Sequence, residues 1–385
     1  MESSRPPLPP GCRLVQRLAC YILRLVREQL SPGHPPTEWP ADIPLRLQIE
    51  CHRIVAVVVR AFRDAEQLEW SVSDFKALQG TLTETQLLAR FPPAFPRKRD
   101  GTAILKDEPF IIVDKAGRIL MWYLPNIISA TRREIILDAI KWLSYGPSVS
   151  PLSASSPQDR RKHNGTFTES TSDVRSGVAT FASCWPTLPG DPEHSKSVYA
   201  PSSTFLDPNQ GGLDFLERIS ESLAVLGAIL AAINPAQFEA GLDVLASLDA
   251  GIIKSGNREL LQRVLKDWST PFTAFSVVNN RDTEPHRDLK SPSWAYDLLY
   301  TDGFYIDGRL EVTSLGVRCR YNPGTVVALI ASVFVHGIAP VQGSRVGISQ
   351  FFRQVMVEQT PFSRLPRPLT FHDYAHFFKG THFFA

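Results

Sequence analysis

The sequence predicts an α+β protein whose final third is a β-barrel or sandwich backed by helices. Three observations support this. Beyond Pro271, short apolar runs alternate with Asp-Gly, Pro-Gly and Gln-Gly pairs as far as Val357, the rhythm of antiparallel strands and tight turns. Between residues 212 and 268, apolar side chains recur at helical spacing. The first third is helical apart from one strand pair.

Taken in order, Cys12–Leu30 is apolar along one side but carries Arg13, Arg17, Arg24 and Arg27. A bilayer centre would resist those charges, so the segment reads as an amphipathic helix, and no stretch reads as a membrane span. Helical spacing returns at 45–65, and Ser and Thr caps open short helices within 71–88 before Pro92, Pro93 and Pro96 end the pattern. Residues 110–113 and 119–123 describe a hairpin about Asp114-Lys115-Ala116-Gly117. A helix is expected at 129–145, capped by Ser129 or Thr131 and stopped by Gly146. Residues 147–172 are rich in serine, threonine and charge without apolar period, and read as a flexible linker or a loop over a site. Helices follow at 212–230, 235–248 and 258–268. Strands are expected at 273–278, 293–299, 309–315, 325–334 and 347–357, with turns at Asp302-Gly303, Asp307-Gly308, Pro323-Gly324 and Gln342-Gly343. The expected organisation is a helical and hairpin extension over 1–146, the linker over 147–172, the main domain with its packing helices over 173–360, and a tail over 361–385.

The 385 residues are 43% apolar and 21% charged, an ordinary globular balance that excludes wholesale disorder and fibrous classes. Forty-one basic against 39 acidic residues leave a charge of +2, so any nucleic-acid contact depends on local patches. Arg97-Lys98-Arg99 and Arg160-Arg161-Lys162 are candidates, with solvated loops as the plainer reading. The five scattered cysteines include no C-x-x-C pair, which points away from a disulfide framework or zinc ribbon and toward a reducing compartment. Cys319 reads as a buried strand cysteine, and His372 and His376 lack the acidic partner of a helix-borne metal site.

The chemistry concentrates in the β-rich third. His286-Arg287-Asp288 is an H-x-D motif at the end of a strand, His336 follows 50 residues later at the end of another, and Arg345 comes nine beyond that. Alternate strand residues share a face, so His286 and Asp288 can reach one metal together while His336 arrives from elsewhere. Two imidazoles and a carboxylate occupy one face of Fe(II) and leave three positions open, as in non-haem iron oxygenases. Arg345 offers a planar fork suited to the distal carboxylate of 2-oxoglutarate. With nine histidines an H-x-D pair alone is common; its conjunction with a second strand-borne histidine and an arginine after a glycine turn carries the reading.

Several phrases resemble the Fe(II)/2-oxoglutarate dioxygenases of the TET and base-J-binding-protein (JBP) group, especially the fungal branch. They are Asn279-Asn280-Arg281 before Pro285-His286-Arg287-Asp288, Leu315-Gly316, Tyr321-Asn322-Pro323-Gly324-Thr325-Val326-Val327, His336-Gly337-Ile338, and Arg345 leading into Phe351-Phe352-Arg353. The resemblance spans about residues 274–357. It implies a double-stranded β-helix (jelly-roll) core, and Fe(II), 2-oxoglutarate and O2 as cofactors. It also implies His286, Asp288 and His336 as catalytic metal ligands, with Arg345, Arg281 and Asn279 around the oxoglutarate. Phe351 falls where the family stacks an aromatic on a flipped base, Arg353 where a base-edge histidine is more familiar, and Ser291 where the family has an acidic base contact. The implied reaction is oxidation of 5-methylcytosine to its hydroxymethyl, formyl and carboxyl forms, or demethylation of N6-methyladenine. Its partner would be methylated DNA with the base flipped out, in the nucleus, with no membrane and no obligate protein partner. Two other readings stand beside it: an oxygenase of proteins or small molecules, and an inactive DNA-binding relative.

Overall fold

A computed structural model describes residues 5–31, 33, 35–95, 104–145, 166–169, 174–187, 198–206, 211–361 and 369–379. The chain opens with two 19-residue helices, α1 (Cys12–Leu30) and α2 (Leu45–Arg63). Apolar side chains at helical spacing, including Val15, Leu18, Ile22 and Leu25 of α1, form its buried face, which carries none of its arginines but packs the helix against its neighbours. Next come β1 (Ala65–Gln67), α3 (Val72–Leu78) and α4 (Glu84–Arg90). Ser71 accepts from the Asp74 amide and Thr83 forms a capping box with Gln86, so the expected caps do start these helices. The short β2 (Leu105–Lys106) precedes the expected hairpin, β3 (Phe110–Val113) and β4 (Ile119–Leu124), whose ten residues are all buried. Then α5 (Ala130–Tyr145) begins under Ser129, whose Oγ accepts from the Arg132 amide at 3.2 Å.

The second half begins with β5 (Gly177–Ala182) and the ribbon β6 (Trp185–Thr187) with β7 (Val198–Ala200). Three helices follow: α6 (Gly211–Ile233), α7 (Pro235–Asp249) and α8 (Arg258–Asp267). The strands are β8 (Ala274–Asn279), β9 (Thr283–His286), β10 (Asp297–Ile306), β11 (Arg309–Val312), β12 (Val317–Arg320), β13 (Thr325–Leu329), β14 (His336–Ile338) and β15 (Gln342–Phe351). The short α9 (Gln354–Glu358) and α10 (Phe371–Lys379) close the chain.

Eight strands form a major sheet in the order β1-β3-β4-β13-β10-β15-β8-β5, and five form a minor sheet, β2-β12-β11-β14-β9. Pairing is antiparallel except where the short β1 and β2 join at the sheet edges. This is a mixed α+β architecture with a double-stranded β-helix core. The helices cover the outer face of the major sheet: Phe215 of α6 lies 5.1 Å from Phe181 of β5, which stacks at 4.9 Å on Phe275 of β8. The inner faces of both sheets enclose a cavity of about 370 Å³.

Several sequence expectations change. The strand expected at 293–299 begins later, at Asp297, and runs on through the expected turn Asp302-Gly303. Buried Asp302 is held by Arg133 at 2.9 Å, and Gly303 sits where a Cβ would come 2.2 Å from the Ser344 oxygen, so both residues serve close strand pairing. Gln342-Gly343 likewise lies inside β15 for the same reason, a Cβ at Gly343 meeting the Phe304 oxygen at 2.2 Å. The strand expected at 325–334 stops at Leu329, and His336 opens β14 instead of following a strand end. The strand β12 was not anticipated; its alternating Arg318 and Arg320 masked it. The strand expected to reach Val357 ends at Phe351, and α9 takes over. Arg97-Lys98-Arg99, Arg160-Arg161-Lys162 and most of the 147–172 segment lie outside the described residues. Residues 166–168 run beside 280–282, with the Asp282 amide donating to the Thr166 oxygen at 2.8 Å.

Candidate active site

The two histidines meet because β9 and β14 pair with His286 directly opposite His336. Their ring centroids are 4.5 Å apart. Each Nδ1 bonds a backbone oxygen two residues upstream, Glu284 at 2.9 Å and Phe334 at 3.0 Å. A carbonyl only accepts, so Nδ1 carries the proton in each ring and Nε2 is left as a lone-pair donor. Both Nε2 atoms point at one oxygen, Asp288 Oδ2, at 3.8 Å from His286 and 3.7 Å from His336. All three candidate donor atoms lie within 4.8 Å of one another, the one such group of three among the described residues. Burial, reinforced by the neighbouring His286, lowers the pKa of His336 against the pull of Asp288. That lowering favours the neutral form of the His336 imidazole, the form in which it can ligate a metal.

Arg345 lies on β15, directly opposite Gly303 of β10. Its side chain is buried, and desolvation lowers its pKa despite the nearby Tyr321 and Tyr305. The guanidinium donates from Nη2 to the Arg281 carbonyl oxygen at 2.6 Å, and the Arg345 amide donates to Asn280 Oδ1 at 3.0 Å. Among the described residues it makes no ion pair with a carboxylate. Asp282 lies beyond ion-pair distance and acts on it only through space, so this buried cation is incompletely compensated until an anion arrives. Alternation along β15 turns Arg345, Gly347, Ser349 and Phe351 into the cavity. Gly347 keeps the space beside the guanidinium open, since a Cβ there would stand 3.4 Å from Nη1.

Arg281 and Ser291 line the same cavity. Arg353 also lines it, with its guanidinium 5.1 Å from the Phe351 ring centroid and 5.4 Å from that of Trp185. Phe351 is 8% exposed and packs on Ala182 and Ala274 while its ring borders the cavity. Asn279 requires a correction. On β8, Ser276 and Val278 face the cavity, so alternation turns Asn279 away, and its Nδ2 donates to the Arg175 oxygen at 3.2 Å. It does not line the site. Cys319 is buried, and desolvation pushes its thiol pKa well up, as befits an inert strand cysteine.

One residue buried behind the site escaped the sequence reading. Asp297 is buried with its Oδ2 accepting from Ser291 Oγ at 2.8 Å, and burial raises its pKa well above the carboxylate range, with Asp288 adding to the effect. The signal was present as an acid inside the apolar run Ala295-Tyr296-Asp297-Leu298-Leu299.

Residues 202–354 match the family model Tet_JBP, described as the oxygenase domain of the 2OGFeDO superfamily. The chain carries a TET/JBP-type oxygenase domain. No curated protein matches this chain. Among solved structures, it is similar to NgTET1 in complex with 5mC DNA, at 13% identity and a TM-score of 0.43, over 72% of this chain and 90% of that one. A 2OG-Fe(II) family oxidoreductase from Burkholderia pseudomallei aligns at 13% identity and 0.19, over 28% and 58%. JOX2 in complex with 2OG, Fe and JA aligns at 12% and 0.25, over 92% and 93%. The superfamily uses Fe(II), 2-oxoglutarate and O2, so the TET/JBP-type domain is that of an Fe(II)/2-oxoglutarate dioxygenase. The donor set and the buried arginine facing one cavity fit those groups.

Proposed function

We propose that this enzyme oxidises methyl groups on DNA bases, first of all 5-methylcytosine through its hydroxymethyl, formyl and carboxyl forms, with N6-methyladenine as a further substrate. The observation that carries the proposal is one cavity bounded by the three metal-ligand candidates, by buried Arg345, and by Phe351 with Arg353. His286, His336 and Asp288 would hold Fe(II), and the Glu284 and Phe334 carbonyls keep each imidazole proton on Nδ1. Arg345 would bind the distal carboxylate of 2-oxoglutarate, and the Arg281 carbonyl orients its fork. Bound together, iron, 2-oxoglutarate and O2 supply oxidation of a substrate C–H bond, with succinate and CO2 as co-products. A base inside a duplex cannot reach this cavity, so the target is flipped out. Phe351 offers the ring on which it stacks, and Ser291 and Arg353 offer polar contacts to its edge. Substrate in the genome implies residence in the nucleus, testable by imaging the tagged protein.

Nucleoside mass spectrometry tests the reading. The protein is incubated with Fe(II), 2-oxoglutarate and DNA containing 5-methylcytosine or N6-methyladenine, with succinate followed in parallel. Oxidised base together with succinate is expected and names the base. Succinate without base change would move the search to protein or small-molecule substrates, and neither product would overturn the assignment.

A further inference from the structure

Leu289 follows the metal-ligand candidate Asp288 and is the most exposed large apolar side chain among the described residues, at 75%. Scattered exposed leucines are ordinary on protein surfaces. Three features set this one apart. It occupies the tip of a tight turn, closed by the Ser291 amide donating to the Asp288 oxygen at 2.9 Å, where Gly, Asn, Asp or Ser is the usual choice. Both ends of that turn are pinned: the Asp288 amide donates to the Ala331 oxygen at 3.0 Å, and Ser291 Oγ donates to buried Asp297 at 2.8 Å. Finally, Arg287, Leu289 and Lys290 all border the cavity, and neither cation pairs with a carboxylate among the described residues.

We propose that Leu289 is an apolar wedge that enters the base stack beside the target, while Arg287 and Lys290 hold the flanking phosphates. The role rests on the DNA reading above and deepens it. Apolar side chains inserted at a base step unstack it, and cations on either side of the tip suit the charge on the backbone. A turn anchored at both ends presents the wedge without an ordering cost at the moment of binding. The spacing also ties flipping to chemistry, because Leu289 and the iron ligand Asp288 are adjacent residues.

The test compares oxidation of 5-methylcytosine in a duplex with oxidation in the same strand unpaired, for the full chain and its Leu289→Ala and Leu289→Met variants. In the alanine variant the duplex-to-single-strand ratio of kcat/KM should fall about tenfold, a loss that unpaired DNA escapes because its base needs no extraction. Methionine, still long and apolar, should restore most of the ratio. An unchanged ratio in Leu289→Ala, with the unaltered protein active on DNA, overturns the wedge and leaves the DNA reading intact. Unaltered protein that oxidises neither DNA form overturns both.

Discussion

His286 and His336 solve the same problem in the same way, each giving its Nδ1 proton to the carbonyl two residues upstream. The repetition makes the ligand geometry a property of two short backbone segments. His286→Ala is expected to abolish iron binding and turnover while leaving the thermal midpoint within a few degrees, since the ring is partly exposed and anchors nothing else; metal analysis and a melting curve check it. Arg345→Ala should raise the 2-oxoglutarate KM at least about 30-fold, the scale of a truncated buried charge contact, as read in a succinate assay. At this scale the sequence was most legible where chemistry dictates residue type: the H-x-D pair, the second histidine and the arginine. It misled at Asn279, whose direction depends on strand register. It was silent on Asp297, whose link to Ser291 exists only once the chain turns at 288–291.

At the scale of elements, β10 and β15 show how a glycine can be read wrongly. An Asp-Gly pair suggests a turn, but at Gly303 the backbone has φ of +118° and lies against Ser344 inside a continuous ladder. Ala in its place would bring a Cβ to 2.2 Å from the Ser344 oxygen and to 3.3 Å from the Arg345 Cα. Gly303→Ala should therefore cost about 2–4 kcal/mol in denaturant unfolding and also weaken 2-oxoglutarate binding, because the displaced backbone carries Arg345. The longer helices were legible almost to the residue because a 3.6-residue apolar period and cap residues are local signals, whereas the short α9 fell inside an expected strand and α10 inside the tail. Strand β12 was not, since four residues with two arginines provide little period to detect.

At the scale of the whole molecule, two devices join the N-terminal third to the oxygenase core. One is Arg132 of α5, fully buried, which pairs with Glu50 of α2 at 3.1 Å and with Glu221 of α6 at 2.7 Å. Arg132→Met should cost about 3–5 kcal/mol because it leaves two acids without their shared cation. Burial pushes the Glu221 pKa upward, but bonds from Arg46 and Arg132 outweigh it and hold the carboxyl below its ordinary range. A carboxyl depressed in this way contributes stability above its unfolded pKa, and the contribution is lost as pH falls through the lower folded value. Urea midpoints measured across the acid range should show that loss, diminished in Arg132→Met. The other device is the hairpin, for β4 pairs with β13 in the major sheet. A fragment limited to residues 202–354, the span of the family match, would bare both β13 and β8 along an edge and should aggregate when expressed. No local pattern could announce either device, since both connect segments far apart in the chain.

That hairpin also sets a schedule for synthesis. Leu124 and its partner Val326 are separated by about 200 residues, which a ribosome adds in roughly 10–40 s. Through that interval a strand made wholly of buried residues, Ile119–Leu124, awaits the neighbour that will cover one of its edges. The nascent chain therefore depends on chaperone cover, or on early docking of α2 against the hairpin, for longer than a sheet built from consecutive strands would need.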